Sequence, residues 1–402
     1  MTRSWIELST SALYHNIKQV TSLINESELG VVVKGNAYGH GLIPIALLLE
    51  KHPKVAWLFT AALEEALALR QAGVTKKIVV LAYILYDKNR LQQAIEQNIH
   101  FTISSPELLE NLNNIAYSCK KKAFIHLKID TGLSRLGSLP QDTLSLAQAI
   151  AKSENLSLQA LFTHLADTSN PDQAYTYHQI NLFFTIEHYL RSNNIHYNHC
   201  HILASGSLML ESLCLRAAYY EEMTTAESYT INLDGSLSGY HKSGLKLSNF
   251  KATQIVRVGT MVYGHWKSGV HQQNIVAHSP LCSLKNVLTW KTIITDIKRV
   301  LYPNMVIATI PVGYAHGYPH ALSHKGSVSI NGTIIPVLDV NSNISTLDIT
   351  NIPISFFDNP NNRQVTLIGC DPITITHIAN LIGTLHNEFL CGISPQLPRH
   401  VL

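Results

Sequence analysis

Charged residues are scarce in this sequence: Asp, Glu, Lys and Arg make up 14% of 402 residues, well under the roughly 25% of an average soluble domain. The charge present is balanced, 30 basic against 27 acidic for a net +3, and no basic run exceeds Lys120-Lys121-Lys122. The electrostatic footprint of a nucleic-acid binder is therefore missing, and a small molecule is the expected partner. Long apolar stretches are missing too. The longest, Ile78 to Tyr86, has nine residues, far short of the ~20 that a membrane-spanning helix needs. The first residues, MTRSWIELSTSAL, have neither the apolar stretch nor the small-residue cleavage site of a secretory signal, so a cytoplasmic location is expected. The six cysteines (Cys119, Cys200, Cys214, Cys282, Cys370, Cys391) include no CxxC pair. Neither a disulfide framework nor a metal cluster is indicated, and they are read as buried thiols.

What the sequence does hold is 46% hydrophobic residues and 21 histidines. The length corresponds to about two to three folding units, or one large barrel plus a smaller domain. Short runs rich in Val, Ile and Phe recur over the first 260 positions, at 30–33, 55–60, 77–82, 100–103, 123–129, 158–163, 199–203 and 254–258. Between them lie stretches of helical spacing, the first at 11–24 behind Ser9 or Thr10 as N-cap. Strands alternating with helices imply βα units, and eight of them imply a (β/α)8 barrel of the TIM type. Its chemistry is sought at the C-terminal ends of the strands. Beyond about residue 275 short β-branched segments separated by turns predict a mainly β domain. Asn331-Gly332 there is a two-residue hairpin signal, because both residue types adopt positive φ. The expected division is residues 1–275 for the barrel and 276–402 for the β domain. Residues 212–250 are too long for a barrel connection and are read as an insertion, with a hairpin about Asp234-Gly235.

At the end of the first barrel run the chain reads Val31-Val32-Val33-Lys34-Gly35-Asn36-Ala37-Tyr38-Gly39-His40-Gly41. A lysine against a low-dielectric wall loses solvation, which lowers its pKa and makes it a usable nucleophile for a Schiff base. A solvent-reaching surface lysine is the other reading. Gly39 and Gly41 would let backbone approach a ligand closely.

This segment closely resembles the signature of the alanine racemases, pyridoxal-phosphate (PLP) enzymes built from a barrel and a β domain. Further blocks follow in the same order: Glu64-Glu65-Ala66-Leu67-Ala68-Leu69-Arg70, His126 to Gly137, Thr163-His164-Leu165-Ala166, Val256 to Gly264, Pro311 to Tyr318 and Pro398-Arg399. The resemblance covers nearly the whole chain apart from the insertion. It implies that Lys34 holds the cofactor and serves as acid and base on one face of the substrate α-carbon. Arg257 would face the pyridine nitrogen. A guanidinium cannot accept a proton, so it would leave that nitrogen unprotonated and the ring a weaker electron sink. A salt-bridged arginine at a barrel end is the alternative. Tyr38, Ser205 and the backbone amides of Gly259 and Thr260 match positions that bind the cofactor phosphate. His164 matches an imidazole near the cofactor ring, against the alternative of a core histidine satisfied by a carbonyl. Arg135 matches a residue that reaches the substrate carboxylate, and Lys128 one that is carbamylated in some members. The implied function is interconversion of L- and D-alanine for cell-wall precursors by a homodimer.

The sequence also departs from the family. Racemisation needs acid/base groups on both faces of the α-carbon. The family's second one is a tyrosine of the partner subunit's β domain, on a hairpin missing from the stretch Lys298 to Pro311. Tyr302 is the nearest tyrosine and is also read as a turn residue. Ser342 and Asn343 stand where a substrate-facing Met-Asp pair is expected, Pro395 at the terminal phosphate-binding tyrosine, His316 at an aspartate and Ala204 at an asparagine. In the insertion Tyr219, Tyr220, Tyr229, Tyr240 and His241 are substitute proton carriers. Three readings follow: an alanine racemase with a replaced second base, a one-base PLP enzyme acting on another amino acid, and a PLP-binding relative without turnover.

Overall fold

Each of the eight apolar runs forms a strand, and the strands close on themselves. The computed structural model describes residues 3–402 except Asn25, Tyr83, Ser169, Pro171, Gln173, 209–226, 232–236, 243–251, Ser268, Pro280, Leu281, Pro303 and Cys370. After β1 (Ser4–Leu8) come β2 (Glu28–Val32), β3 (Val55–Thr60), β4 (Lys77–Val80), β5 (Ile99–Ile103), β6 (Ala123–Lys128), β7 (Leu156–Phe162) and β8 (His199–His201). An antiparallel pair follows, β9 (Glu227–Ile231) and β10 (Leu237–Lys242), and then β11 (Thr253–Val258). β2 to β8 pair in chain order, all parallel, and β11 closes the ring between β8 and β2. This is the expected barrel. The paired β9 and β10 match the hairpin expected in the insertion. Its Asp234-Gly235 turn lies outside the described residues, as do Tyr219, Tyr220 and the side chains of Tyr229, Tyr240 and His241.

Alternation along the strands sends every second side chain into the lumen. Val32, Trp57, Phe59, Val79 and Ile255 form a cluster there, separate from the main core between strands and helices. Gly30 makes room for it: a Cβ at that position would stand 2.3 Å from the Phe59 ring. The first helix, Thr10–Thr21, starts where Ser9 Oγ accepts the Ala12 amide at 3.2 Å, the N-cap arrangement read from the sequence.

The second unit is a sheet of β12 (Leu288–Ile293), β13 (Asp296–Val300), β14 (Met305–Ile310), β15 (Ser327–Ile330), β16 (Thr333–Val340), β17 (Ser345–Asp348), β18 (Gln364–Ile368) and β19 (Arg399–Val401), joined by β1. Three sequence expectations are corrected here. Residues 4–8, assigned to the barrel, pair with β12 and β19, because the face carrying Ile6 and Leu8 is buried in this sheet. The stretch from Lys298 does turn back: β13 and β14 pair with Val300 opposite Met305, a short hairpin with Tyr302 in its turn. Of the cysteines, Cys200 and Cys282 are buried, but Cys119 is half-buried and Cys391 exposed. The Asn331-Gly332 turn matches its expectation, with φ of 47° and 84°. No helix among the described residues is long and apolar enough to cross a membrane.

Candidate active site

The chain leaves β2 in a left-handed turn. Gly35, Asn36, Ala37 and Tyr38 all have φ between 49° and 62°, which costs a residue with a Cβ roughly 1–2 kcal/mol each. The strain is held in place by Glu65, a residue whose sequence context gave no hint of this role. One carboxylate oxygen accepts from the amides of Gly35 (2.8 Å) and Asn36 (3.4 Å), the other from Ala61 (3.0 Å) and Ala62 (3.2 Å). Asn36 Oδ1 accepts the Leu42 amide at 2.8 Å and closes the loop. Glu65→Ala should therefore lower unfolding stability by about 2–3 kcal/mol in a urea titration, with Glu65→Gln intermediate because one acceptor oxygen remains. An unchanged midpoint for Glu65→Ala would remove the anchor role.

The two glycines after the turn do a different job from the one expected. A Cβ at Gly39 would lie 1.9 Å from the Leu390 carbonyl oxygen, and one at Gly41 2.8 Å from Pro44 Cγ and 3.3 Å from Arg399. Gly39 admits the β domain, and Gly41 admits Pro44 of the following helix and, beyond it, Arg399. Helix His386–Cys391 packs on the lysine turn, and Arg399 donates to the Gly39 carbonyl at 2.9 Å. The terminal Pro398-Arg399 block thus clamps the turn that carries Lys34.

A cavity of about 540 Å³ opens at the C-terminal mouth of the barrel, where barrel chemistry is sited. It brings together Lys34, Tyr38, Arg135, His164, Ser205, Arg257, Gly259 and Thr260, together with Lys128. Four of these are cations, Lys267 is a fifth, and among the described residues no Asp or Glu lines the cavity. Burial lowers the Lys34 ammonium below the ordinary lysine range, with Arg135 adding to the effect. Burial, then Arg257 and Arg135, push Lys128 down to about 8. Both amines are thus easier to deprotonate than a surface lysine.

Arg257 is buried and made rigid by acceptors. It donates to the His201 carbonyl (2.9 Å), the Thr163 carbonyl (2.7 Å), His201 Nδ1 (2.5 Å) and His164 Nδ1 (3.4 Å). Burial pushes its guanidinium down to about 9, so it stays charged at neutral pH. The bond to His201 has a consequence further into the barrel. Since Arg257 can only donate, His201 Nδ1 is an acceptor and His201 Nε2 carries the proton. His201 Nε2 donates to His126 Nδ1 at 2.8 Å, and His126 Nε2 donates in turn to His100 Nδ1 at 3.0 Å. One tautomer is imposed on three lumen histidines. The sequence shows four histidines on barrel strands, His100, His126, His199 and His201, but not that three of them join in one file.

In the same lining the Gly259 amide donates to Ser205 Oγ at 2.9 Å. Thr260 Oγ1 is buried without a hydrogen-bond partner among the described residues. A Cβ at Gly259 would come within 2.8 Å of Tyr38 Oη, so that phenol sits against the strand end. Two expected residues are not in this group. Tyr302 is 93% exposed at its hairpin turn. Ser342 lies in the turn after β16, where its carbonyl accepts the Ala315 amide at 2.9 Å. Neither lines the cavity of its own chain. Besides Glu65, sequence reasoning missed Lys267, Thr168 and Asn387, which all line it.

Comparison with known proteins agrees with this geometry. Residues 8–221 match the family model for the alanine racemase N-terminal domain and 277–401 that for the C-terminal domain. An alanine racemase of Clostridium perfringens is 30% identical, covering 98% of this chain and 94% of its own length. One of Methanococcus maripaludis is 29% identical over 98% and 97%. The solved alanine racemase of Clostridium difficile superposes with a TM-score of 0.81 at 26% identity, covering 100% of this chain and 96% of that one. With both domain models matched across most of its length, this chain belongs to the alanine racemase family.

Proposed function

We propose that this protein is a PLP-dependent racemase that interconverts L- and D-alanine, acting as a cytoplasmic homodimer that supplies D-alanine for cell-wall precursors. The observation that carries this reading is the cavity whose described lining holds five cations and no carboxylate. Such a lining suits a ligand with two anionic ends, a phosphate and a carboxylate. The residues present fit PLP. Thr260 Oγ1 is a buried polar atom without a partner among the described residues, and the missing Cβ atoms of Gly259 and Gly206 let the Tyr38 phenol and the Lys267 ammonium stand against the backbone of the same lining. When bound, PLP supplies an electron sink that acidifies the α-hydrogen of an attached amino acid.

The chain's own residues divide the remaining work. Lys34 holds the cofactor and moves the α-proton on one face through Nζ, whose burial makes it easier to deprotonate than a surface lysine. Tyr38, Ser205, Thr260 and the Gly259 amide bind the phosphate. Arg257, immobilised by His201 and Thr163, directs an N–H that cannot be surrendered toward the ring nitrogen. Arg135 takes the substrate carboxylate. Burial holds His164 down to about 3, so it stays neutral and accepts from Arg257. Tyr302 is so exposed that it reaches a substrate only by entering the mouth of a second copy. Its assignment as second base therefore stands together with the homodimer.

The short turn between β13 and β14 favours a second reading, one-base chemistry on one face only. Proton NMR of L-alanine in heavy water with the protein and PLP separates the two. Loss of the α-proton signal with appearance of D-alanine is expected. Loss of signal without D-alanine would leave the one-base reading, and no loss would leave a binding protein.

A further inference from the structure

Lys34, Lys128, Arg135 and Arg257 line the cavity as one group, in which Arg135 and Arg257 each depress the titration of both lysines. Lys267 stands apart from them at the rim of the same cavity. Its Nζ donates to Thr168 Oγ1 at 3.0 Å, and a Cβ at Gly206 would lie 2.3 Å from that oxygen and 3.0 Å from Nζ itself. The ammonium is therefore set over the Ser205-Gly206 turn, whose serine Oγ takes the Gly259 amide at 2.9 Å. Beside that amide is Thr260 Oγ1, in a residue 7% exposed, without a hydrogen-bond partner among the described residues. The other groups assigned to the phosphate, Tyr38, Ser205, Thr260 and a backbone amide, are all uncharged. A dianion held only by neutral donors lacks the charge-assisted bonds that make phosphate sites strong.

We propose that Lys267 is a phosphate ligand of this site, its ammonium supplying the positive charge at the phosphate end of the cofactor while Thr168 holds it in place. The proposal rests on the reading of the cavity as the PLP site. The bond to Thr168 orients the side chain, and Gly206, having no Cβ, lets Thr168 and Lys267 close over the Ser205-Gly206 turn.

The test uses purified protein stripped of cofactor and titrated, by equilibrium dialysis, with PLP and separately with pyridoxal, which has the same aldehyde and ring but no phosphate. Lys267→Ala should raise the dissociation constant for PLP about tenfold or more, the effect of one lost charge-assisted bond, and leave that for pyridoxal unchanged. Lys267→Arg should recover most of the loss. Equal PLP affinity in parent and Lys267→Ala overturns the proposal, and so does an equal loss for PLP and pyridoxal, which would make Lys267 a structural strap. If the parent protein binds neither compound, the cofactor reading of the cavity falls and the proposal falls with it.

Discussion

Lys34→Ala should racemise alanine at least about a thousandfold more slowly than the parent protein, the combined effect of losing an acid/base group and a covalent attachment point. The same substitution should leave unfolding stability within about 1 kcal/mol of the parent, because Lys34 is half-buried among like charges and makes no ion pair among the described residues that holds the fold. The strand before it ends on three buried valines, Val31, Val32 and Val33, and the turn after it is fixed by Glu65. The side chain is thus projected into the cavity by structure that does not depend on its own ammonium. Chiral chromatography of alanine after incubation, paired with thermal unfolding, measures both halves. A variant that keeps a tenth of the activity would take Lys34 out of the chemistry.

A second large effect should come from acid. His40, His100, His126, His201 and His265 are buried, and His164 lies half-buried beside Arg257. Burial holds His40 down to about 4 and His100 and His164 to about 3, and holds His126, His201 and His265 well below the ordinary histidine range. The folded state cannot take up these protons, whereas the unfolded chain does so from about pH 6.5 downward. More protons on the unfolded state means that stability falls as pH falls. The contribution is fully present above pH 6.5 and is lost toward pH 4 and below. Each imidazole lowers stability by at most about 1.4 kcal/mol per pH unit in that window. Most carboxylates are still ionised at pH 5, so the range from 6.5 to 5 isolates the histidines. Urea midpoints should be level between pH 7.5 and 6.5 and drop steeply below. A profile as flat at pH 5.5 as at pH 7 would mean that these rings are hydrated and free to charge.

The local order of this protein is written in its sequence. Eight apolar runs with helical stretches between them specify the barrel, because a parallel strand buried on both sides must be apolar and short. Asn331-Gly332 specifies its hairpin by the positive φ that both residues tolerate. The block Val31 to Gly41 places a lysine at the end of the first barrel strand by residue order alone, and Arg257 marks the end of the last. Those signals are local, carried by spacing and residue type.

What the tertiary structure decided is which distant residues meet. β1 reads like any amphipathic strand, and only its partners β12 and β19 place it in the second sheet. Glu65 is one acidic residue in a helix first turn until the fold sets it against the Gly35 and Asn36 amides. Gly39 reads as a ligand-approach glycine and turns out to admit the Leu390 carbonyl of the β domain, since a missing Cβ signals close approach without naming what approaches. His100, His126 and His201 come from three strands, and the barrel's closure makes them a single hydrogen-bonded file ending on Arg257. Lys267 carries no motif at all. Its role depends on a threonine about a hundred residues away and a glycine on another loop, and a long-range distance of that kind leaves no periodic trace in a chain.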